Sequence, residues 1–178
     1  MRYSIVVLLV GAVILLVTSS GCLGIPEGVR AVTGFKLDRY LGKWYEVARL
    51  DHSFERGLSR VTADYSLRPD GGVKVLNRGY NAGKGKWKEA EGKAFPLESP
   101  ETGRFKVSFF GPFYASYNII DLDADNYAWA LVCGPKRNYL WILSRTPSLE
   151  RAVRDRLVEK ARAWGFPVDQ LIWVEHRQ

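Results

Sequence analysis

The residues able to do chemistry are few and scattered. The 178-residue chain has two histidines, His52 and His176, and two cysteines, Cys22 and Cys133. No His-Glu-x-x-His, Cys-x-x-Cys, Gly-x-Ser-x-Gly or glycine-rich phosphate loop occurs. The spacings that build zinc sites, redox dithiols, acyl-transfer elbows and nucleotide cradles are therefore missing. His52 stands between Asp51 and Ser53 with no visible acyl nucleophile. Cys133 ends the apolar run Leu131-Val132-Cys133, where a thiol reads as buried and blunted. Glu46 lies in a strand-like run, and burial there would raise its pKa; a structural hydrogen-bonding role is the simpler reading. The expectation is a protein with no metal and no cofactor, and not an enzyme. Lys and Arg number 26 against 19 Asp and Glu, a formal charge of +7. No groove-reading motif accompanies that charge, so nucleic acid is not an expected partner.

The elements that must position such residues come in three parts. Residues 1–21 start with Arg2, continue through the apolar Ile5–Val17 and end in small residues. The apolar stretch is shorter than the ~20 residues that span a bilayer, and the pattern is that of a cleaved signal peptide; the alternative is an uncleaved anchor helix. Residues 22–34 lack periodicity and read as a tether of about 40 Å reach. Residues 35–178 form the domain. Strands are expected at 43–49, 60–68, 73–80, 87–95, 104–110, 114–122, 127–132 and 139–144, rich in Val, Tyr, Phe and Trp and separated by Gly, Pro, Asp and Asn turns. Thr146-Pro147 opens a helix with an apolar face of Leu149, Val153, Leu157, Ala161 and Trp164, closed by Gly165. A short strand follows at 171–174. Eight regular strands suggest a sandwich or an up-and-down barrel.

Gly42-Lys43-Trp44 at the first strand, Arg145 after the eighth, and a partial Asp125-Asn126-Tyr127 before the seventh resemble the lipocalin signatures. Longer stretches, Gly42–Arg49, Val107–Tyr114 and Tyr139–Pro147, are similar to the bacterial outer-membrane lipocalins. Small residues and Gly21 before Cys22 resemble a lipobox, although Ser19 stands where leucine is usual. The resemblance implies an all-β, eight-stranded antiparallel up-and-down β-barrel with a C-terminal α-helix packed outside and a short ninth strand. It implies lipidation of Cys22, or, failing that, ordinary secretion. Leu23 in place of Asp implies sorting to the outer membrane. It further implies that Trp44 plugs the closed end under the Arg145 guanidinium, a structural role.

Loop parity then sorts the ends. Strand one leaves the closed end, so the first, third, fifth and seventh connections ring the mouth. They carry Arg56, Lys84, Lys86, Lys136 and Arg137, candidates for contact with a carboxylate or phosphate head group. Phe54, Phe110, Phe113, Tyr114 and Trp141 are candidates for the ligand wall. Both faces of several strands look apolar, and a homodimer that covers one of them is plausible. The expected function is a lipid-anchored lipocalin, facing the periplasm, that binds, stores or transports fatty acids or lysophospholipids. Two rivals remain: an isomerase-like lipocalin with Cys133 as a cavity nucleophile, and a non-carrier envelope lipoprotein with a filled barrel.

Overall fold

The computed structural model describes residues 23–176. The expected signal peptide and the expected lipidation site Cys22 lie outside these residues. Eight antiparallel strands make the barrel: β1 Gly42–Arg49, β2 Leu58–Leu67, β3 Val73–Asn81, β4 Lys86–Pro96, β5 Arg104–Phe110, β6 Phe113–Leu122, β7 Trp129–Cys133 and β8 Leu140–Ser144. Each strand pairs with the next, and β1 closes the ring by pairing with both β2 and β8. A one-turn helix, α1 Leu37–Tyr40, precedes the barrel. Helix α2, Arg151–Ala163, packs on its outside, and β9, Ile172–Trp173, pairs with the upper half of β1.

Most boundaries shift by one or two residues, and two of the differences have a clear local reason. Tyr127 takes a φ of +54°, which is not extended backbone, so β7 starts at Trp129 rather than Tyr127. Thr146 Oγ1 donates to the Ser148 carbonyl at 2.7 Å, so a turn holds residues 146–148 and α2 starts later, at Arg151. Gly165, at φ +77°, ends the helix in the conformation glycine adopts without strain.

The apolar residues on both faces of β6–β8 have two separate jobs. Ile119, Val132, Ala130 and Leu143 fill the barrel with Trp44, Tyr65 and Phe105. Ile120, Leu131, Cys133 and Ile142 form a second layer beneath Leu157 and Ala161 of α2. Burying both faces is what a wall between a core and a covering helix requires.

At the closed end Trp44 is fully buried. Its Nε1 donates to the Tyr40 carbonyl at 2.8 Å. The Arg145 guanidinium lies 4.0 Å over the indole and donates to the Lys43 and Arg39 carbonyls at 2.9 and 2.7 Å. Gly42, at φ +89°, turns the chain into β1 directly under Arg145.

The segment 23–34 is not a free tether. The Leu23 carbonyl accepts from Arg104 Nη2 at 3.1 Å, and the Gly24 carbonyl from Ser116 Oγ at 2.6 Å. Val32 N donates to the Ile119 carbonyl at 2.9 Å, and Val29 is buried. Ser116 and Asn118 point outward from β6, and polar groups under cover need partners. The strap supplies them while Ile25 and Val29 cover apolar wall.

Candidate functional site

Strand alternation divides the barrel interior into a packed base and an open upper part. Tyr117 points inward, and its hydroxyl meets those of Tyr40 and Tyr65 at 2.7 and 3.0 Å. These three phenols form a floor above the Trp44 plug. Burial pushes all three phenols above the ordinary tyrosine range; neighbouring phenols add to the effect at Tyr117, while at Tyr65 the Tyr117 hydrogen bond opposes it and the Glu55 and Glu46 charges add to it. Above the floor several inward residues are small, Ala63, Asn77, Ala90, Gly92 and Ala115, alongside the larger Val107, Phe109 and Trp141. Ala115 faces inward two residues from Tyr117, yet it is exposed. Side chains do not fill the barrel at that level.

At the mouth, the β1–β2 loop and the β3–β4 hairpin enclose a cavity of 490 Å³ lined by Arg56, Leu58, Asn81, Lys84, Lys86, Trp87 and Lys88. The register of β3 with β4 puts Lys86 and Lys88 on the inner face, opposite Asn81 and Gly79. Arg56 is paired with Asp51 at 2.7 Å. Among the described residues no carboxylate pairs with Lys84, Lys86 or Lys88, and the only bond of the Lys88 ammonium is to the Phe54 carbonyl at 3.0 Å. Three ammonium groups without counter-charges around a cavity are a site for an anion.

One side of the mouth is a buried polar network. Arg49 is 1 % exposed. Its Nη1 donates to Glu46 Oε1 at 2.6 Å, and its Nη2 donates to the Glu55 and Leu58 carbonyls at 3.0 and 3.1 Å. Glu55 accepts from Trp141 Nε1 at 3.1 Å, and His52 Nε2 lies 2.9 Å from the same carboxylate. Phe54 stacks on His52 with ring centroids 3.9 Å apart. Glu46 and Arg49 are three residues apart, so a regular strand would send them to opposite faces. The register of β1 on β8 shifts between Glu46 and Ala48. That bulge turns Val47 and Ala48 toward α2 and both charged side chains inward.

Burial, and next the Glu55 charge, hold Glu46 well above the usual carboxylate range, against the pull of Arg49. Burial also pushes Glu55 up, but His52 and Trp141 outweigh it and leave Glu55 below that range. A group whose pKa rises on folding contributes stability at low pH that is lost as pH climbs above the ordinary carboxylate value of ~4.3. Glu55 has the opposite sign, and its contribution fades on acidification. Urea midpoints should therefore move in favour of a Glu46→Gln variant, relative to the parent chain, as pH rises from about 5 to 8. Parallel profiles would mean that Glu46 ionises freely.

The structure sorts the sequence-based candidates. Trp141 lies on the inner wall and Phe54 on the mouth loop. Tyr114 does not line the cavity: it points outward beside Lys106, whose Nζ is 5.2 Å from its ring centroid. Phe110 and Phe113 face each other across the β5–β6 turn and are 80 % and 79 % exposed, so they do not line the wall either. Lys84 and Lys86 meet at the cavity, and Arg56 joins them already neutralised by Asp51. Lys136 is exposed on the β7–β8 connection. Arg137 is a brace: it donates to the Trp164 and Glu27 carbonyls at 2.7 and 2.6 Å. His176, just after β9, has its Nε2 2.8 Å from the Glu46 carbonyl of β1.

Cys133 is not a cavity thiol. It belongs to the outer layer under α2, and burial pushes it up to about 12. In a chain starting at Leu23 it should react with a thiol reagent at pH 8 roughly a thousandfold more slowly when native than when denatured. Comparable rates would restore it as a reactive group.

Sequence reasoning missed Arg49, Glu55 and Lys88. A signal was present: Glu46, Arg49, His52 and Glu55 recur every third residue, a spacing foreign to a strand unless it bulges.

Comparison with known proteins agrees with this architecture. Residues 35–176 match the lipocalin-like domain. The chain is 58 % identical to the outer membrane lipoprotein Blc of Vibrio cholerae over 158 residues, covering 89 % of this chain and 92 % of that protein. It is 55 % identical to the Escherichia coli protein of that name over 150 residues, 84 % of each. Insecticyanin from the tobacco hornworm Manduca sexta superposes with a TM-score of 0.70 at 20 % identity, over 87 % of this chain and 88 % of that one. A closed eight-stranded barrel, a Trp44 plug under Arg145 and an open mouth thus coincide with sequence identity along nearly the whole domain, and the chain belongs to the lipocalin family.

Proposed function

We propose that this chain is a lipid-anchored, outer-membrane lipocalin, facing the periplasm, that binds and carries or stores a fatty acid or lysophospholipid. The observation that carries this reading is the mouth cavity with three unpaired lysines, set above an interior with several small side chains. The lysines suit a carboxylate or phosphate, and the interior suits an acyl chain. The relatives named as outer membrane lipoproteins, and the small residues before Cys22, support the location and the anchor.

The energetics are sufficient. Burying an acyl chain of sixteen carbons offers roughly 13 kcal/mol at about 0.8 kcal/mol per methylene. Association costs at least ~4 kcal/mol, which leaves room for micromolar or tighter binding.

Native mass spectrometry of residues 23–178 purified from cells, followed by lipid extraction, tests the proposal. The expected result is one fatty acid or lysophospholipid per chain, or per dimer if two copies associate. Empty protein that also ignores added lipids would overturn it and favour a contact-mediated role in the envelope. Charge reversal of Lys84, Lys86 and Lys88 should weaken fatty-acid binding about tenfold, while a neutral monoacylglycerol is unaffected. Equal losses for both ligands would remove the lysines from the head-group site.

A further inference from the structure

We infer that the β5–β6 hairpin tip, Phe110-Gly111-Pro112-Phe113, docks the barrel mouth onto an anionic phospholipid surface. The two phenylalanines pair across the turn and stand almost fully in solvent. Large aromatics are ordinarily covered, and exposed clusters of them mark interaction sites. Neither ring lines the cavity, and the two residues between them carry no hydrogen-bonding side chain. The tip is apolar throughout.

Its surroundings name the partner. Phe54, 50 % exposed, sits on another loop of the same end. Lys84 and Lys86 occupy the neighbouring β3–β4 tip and Lys136 the β7–β8 connection. Aromatic rings beside unpaired lysines on one face are the chemistry of a membrane–water interface. Anionic head groups complement the lysines while the rings enter the acyl boundary. A protein partner needs about 800 Å² of matched surface on each side, which a protruding two-residue turn does not offer. A bilayer accepts an apolar protrusion without matched shape.

The start of the described chain is on the same hairpin. Arg104 of β5 holds the Leu23 carbonyl and Ser116 of β6 holds the Gly24 carbonyl. Leu23, the first described residue, thus lies on the outer face of β5–β6. A lipid on Cys22 and the phenylalanine tip would engage one leaflet from one hairpin. Docking itself needs neither that lipid nor a bound ligand.

The test uses residues 23–178, which include every strand of the closed barrel and its core, so that no acyl anchor contributes. Co-sedimentation is measured with vesicles of phosphatidylcholine alone and of phosphatidylcholine with phosphatidylglycerol. The protein should bind the anionic vesicles about tenfold or more tightly, and the Phe110→Ser/Phe113→Ser double variant should lose that binding. Displacement of a hydrophobic dye by fatty acid should be unchanged in the double variant, which also shows that it folds. A Phe113→Trp variant should show a blue-shifted emission with anionic vesicles. Equal sedimentation of parent and double variant, or an unshifted tryptophan, would overturn the inference. So would loss of dye displacement with vesicle binding retained, which would return the tip to the ligand site. A parent chain that binds vesicles but no lipid ligand would sink the carrier reading and leave docking standing.

Discussion

Replacing Arg49 with alanine is expected to destabilise the protein by about 3–5 kcal/mol, the cost of breaking a buried ion pair from one side. The guanidinium is sealed inside the barrel and serves three acceptors at once: the Glu46 carboxylate and the carbonyls of Glu55 and Leu58. Its removal leaves two buried carboxyl groups facing each other without a cation. It also frees the end of the β1–β2 loop, which Arg49 stitches down on both sides. For a domain of this size the melting temperature should fall roughly 10–15 °C. The double variant Glu46→Leu/Arg49→Met should recover much of the loss, because an apolar pair of similar volume carries no desolvation cost. Thermal unfolding of the three proteins decides the matter. A single variant within about 1 kcal/mol of the parent would show that the network is not what holds the mouth loop.

The second large effect concerns ligand binding. Ala115→Trp should abolish high-affinity lipid binding while leaving the fold intact. Ala115 faces inward immediately above the Tyr117 floor, and its exposure shows open space there. An indole in that space displaces about four methylenes of an acyl chain, at about 0.8 kcal/mol each. The resulting ~3 kcal/mol is more than a hundredfold in Kd. Dye displacement with a graded series of fatty acids should show short chains affected less than long ones. Unchanged affinity for long chains would place the ligand above Ala115 and confine the site to the mouth cavity.

Much of the architecture was legible in the residues. Alternation of Val, Tyr, Phe and Trp marks the eight strands, and Gly, Pro, Asp and Asn mark their turns. Counting connections put Lys84, Lys86 and Lys136 at one end, because hairpin parity follows from strand number alone, and the resemblance that closes the other end with Trp44 made theirs the mouth. The apolar stripe of Leu157 and Ala161 marked a packed helix, because a helical face shows in a single stretch of chain. Strand order and charge polarity are local or additive properties, and a sequence carries those openly.

The interior was not legible in the same way. Tyr114, Phe110 and Phe113 all read as cavity aromatics, yet one faces outward and two face solvent. A residue's face depends on register, and the register of β5 on β6 shifts between Val107 and Phe110. Segment 23–34 reads as a tether because it has no period, but its carbonyls answer donors from β5 and β6 that lie 81 and 92 positions away. Cys133 reads as a buried thiol from its apolar run, and so it is; that α2 over the outer wall, not the cavity, buries it shows only in the tertiary structure.

By itself the residue pattern determined eight short strands, a following amphipathic helix and a net positive charge, since these rest on periodicity, turn chemistry and charge count; the closed barrel, its plugged base and its cationic mouth were what the resemblance to the lipocalins implied. The tertiary structure alone decided that Glu46, Arg49, His52 and Glu55 meet in one buried network. One bulged position in β1 reverses the alternation, and a two-residue period cannot announce where it will be broken.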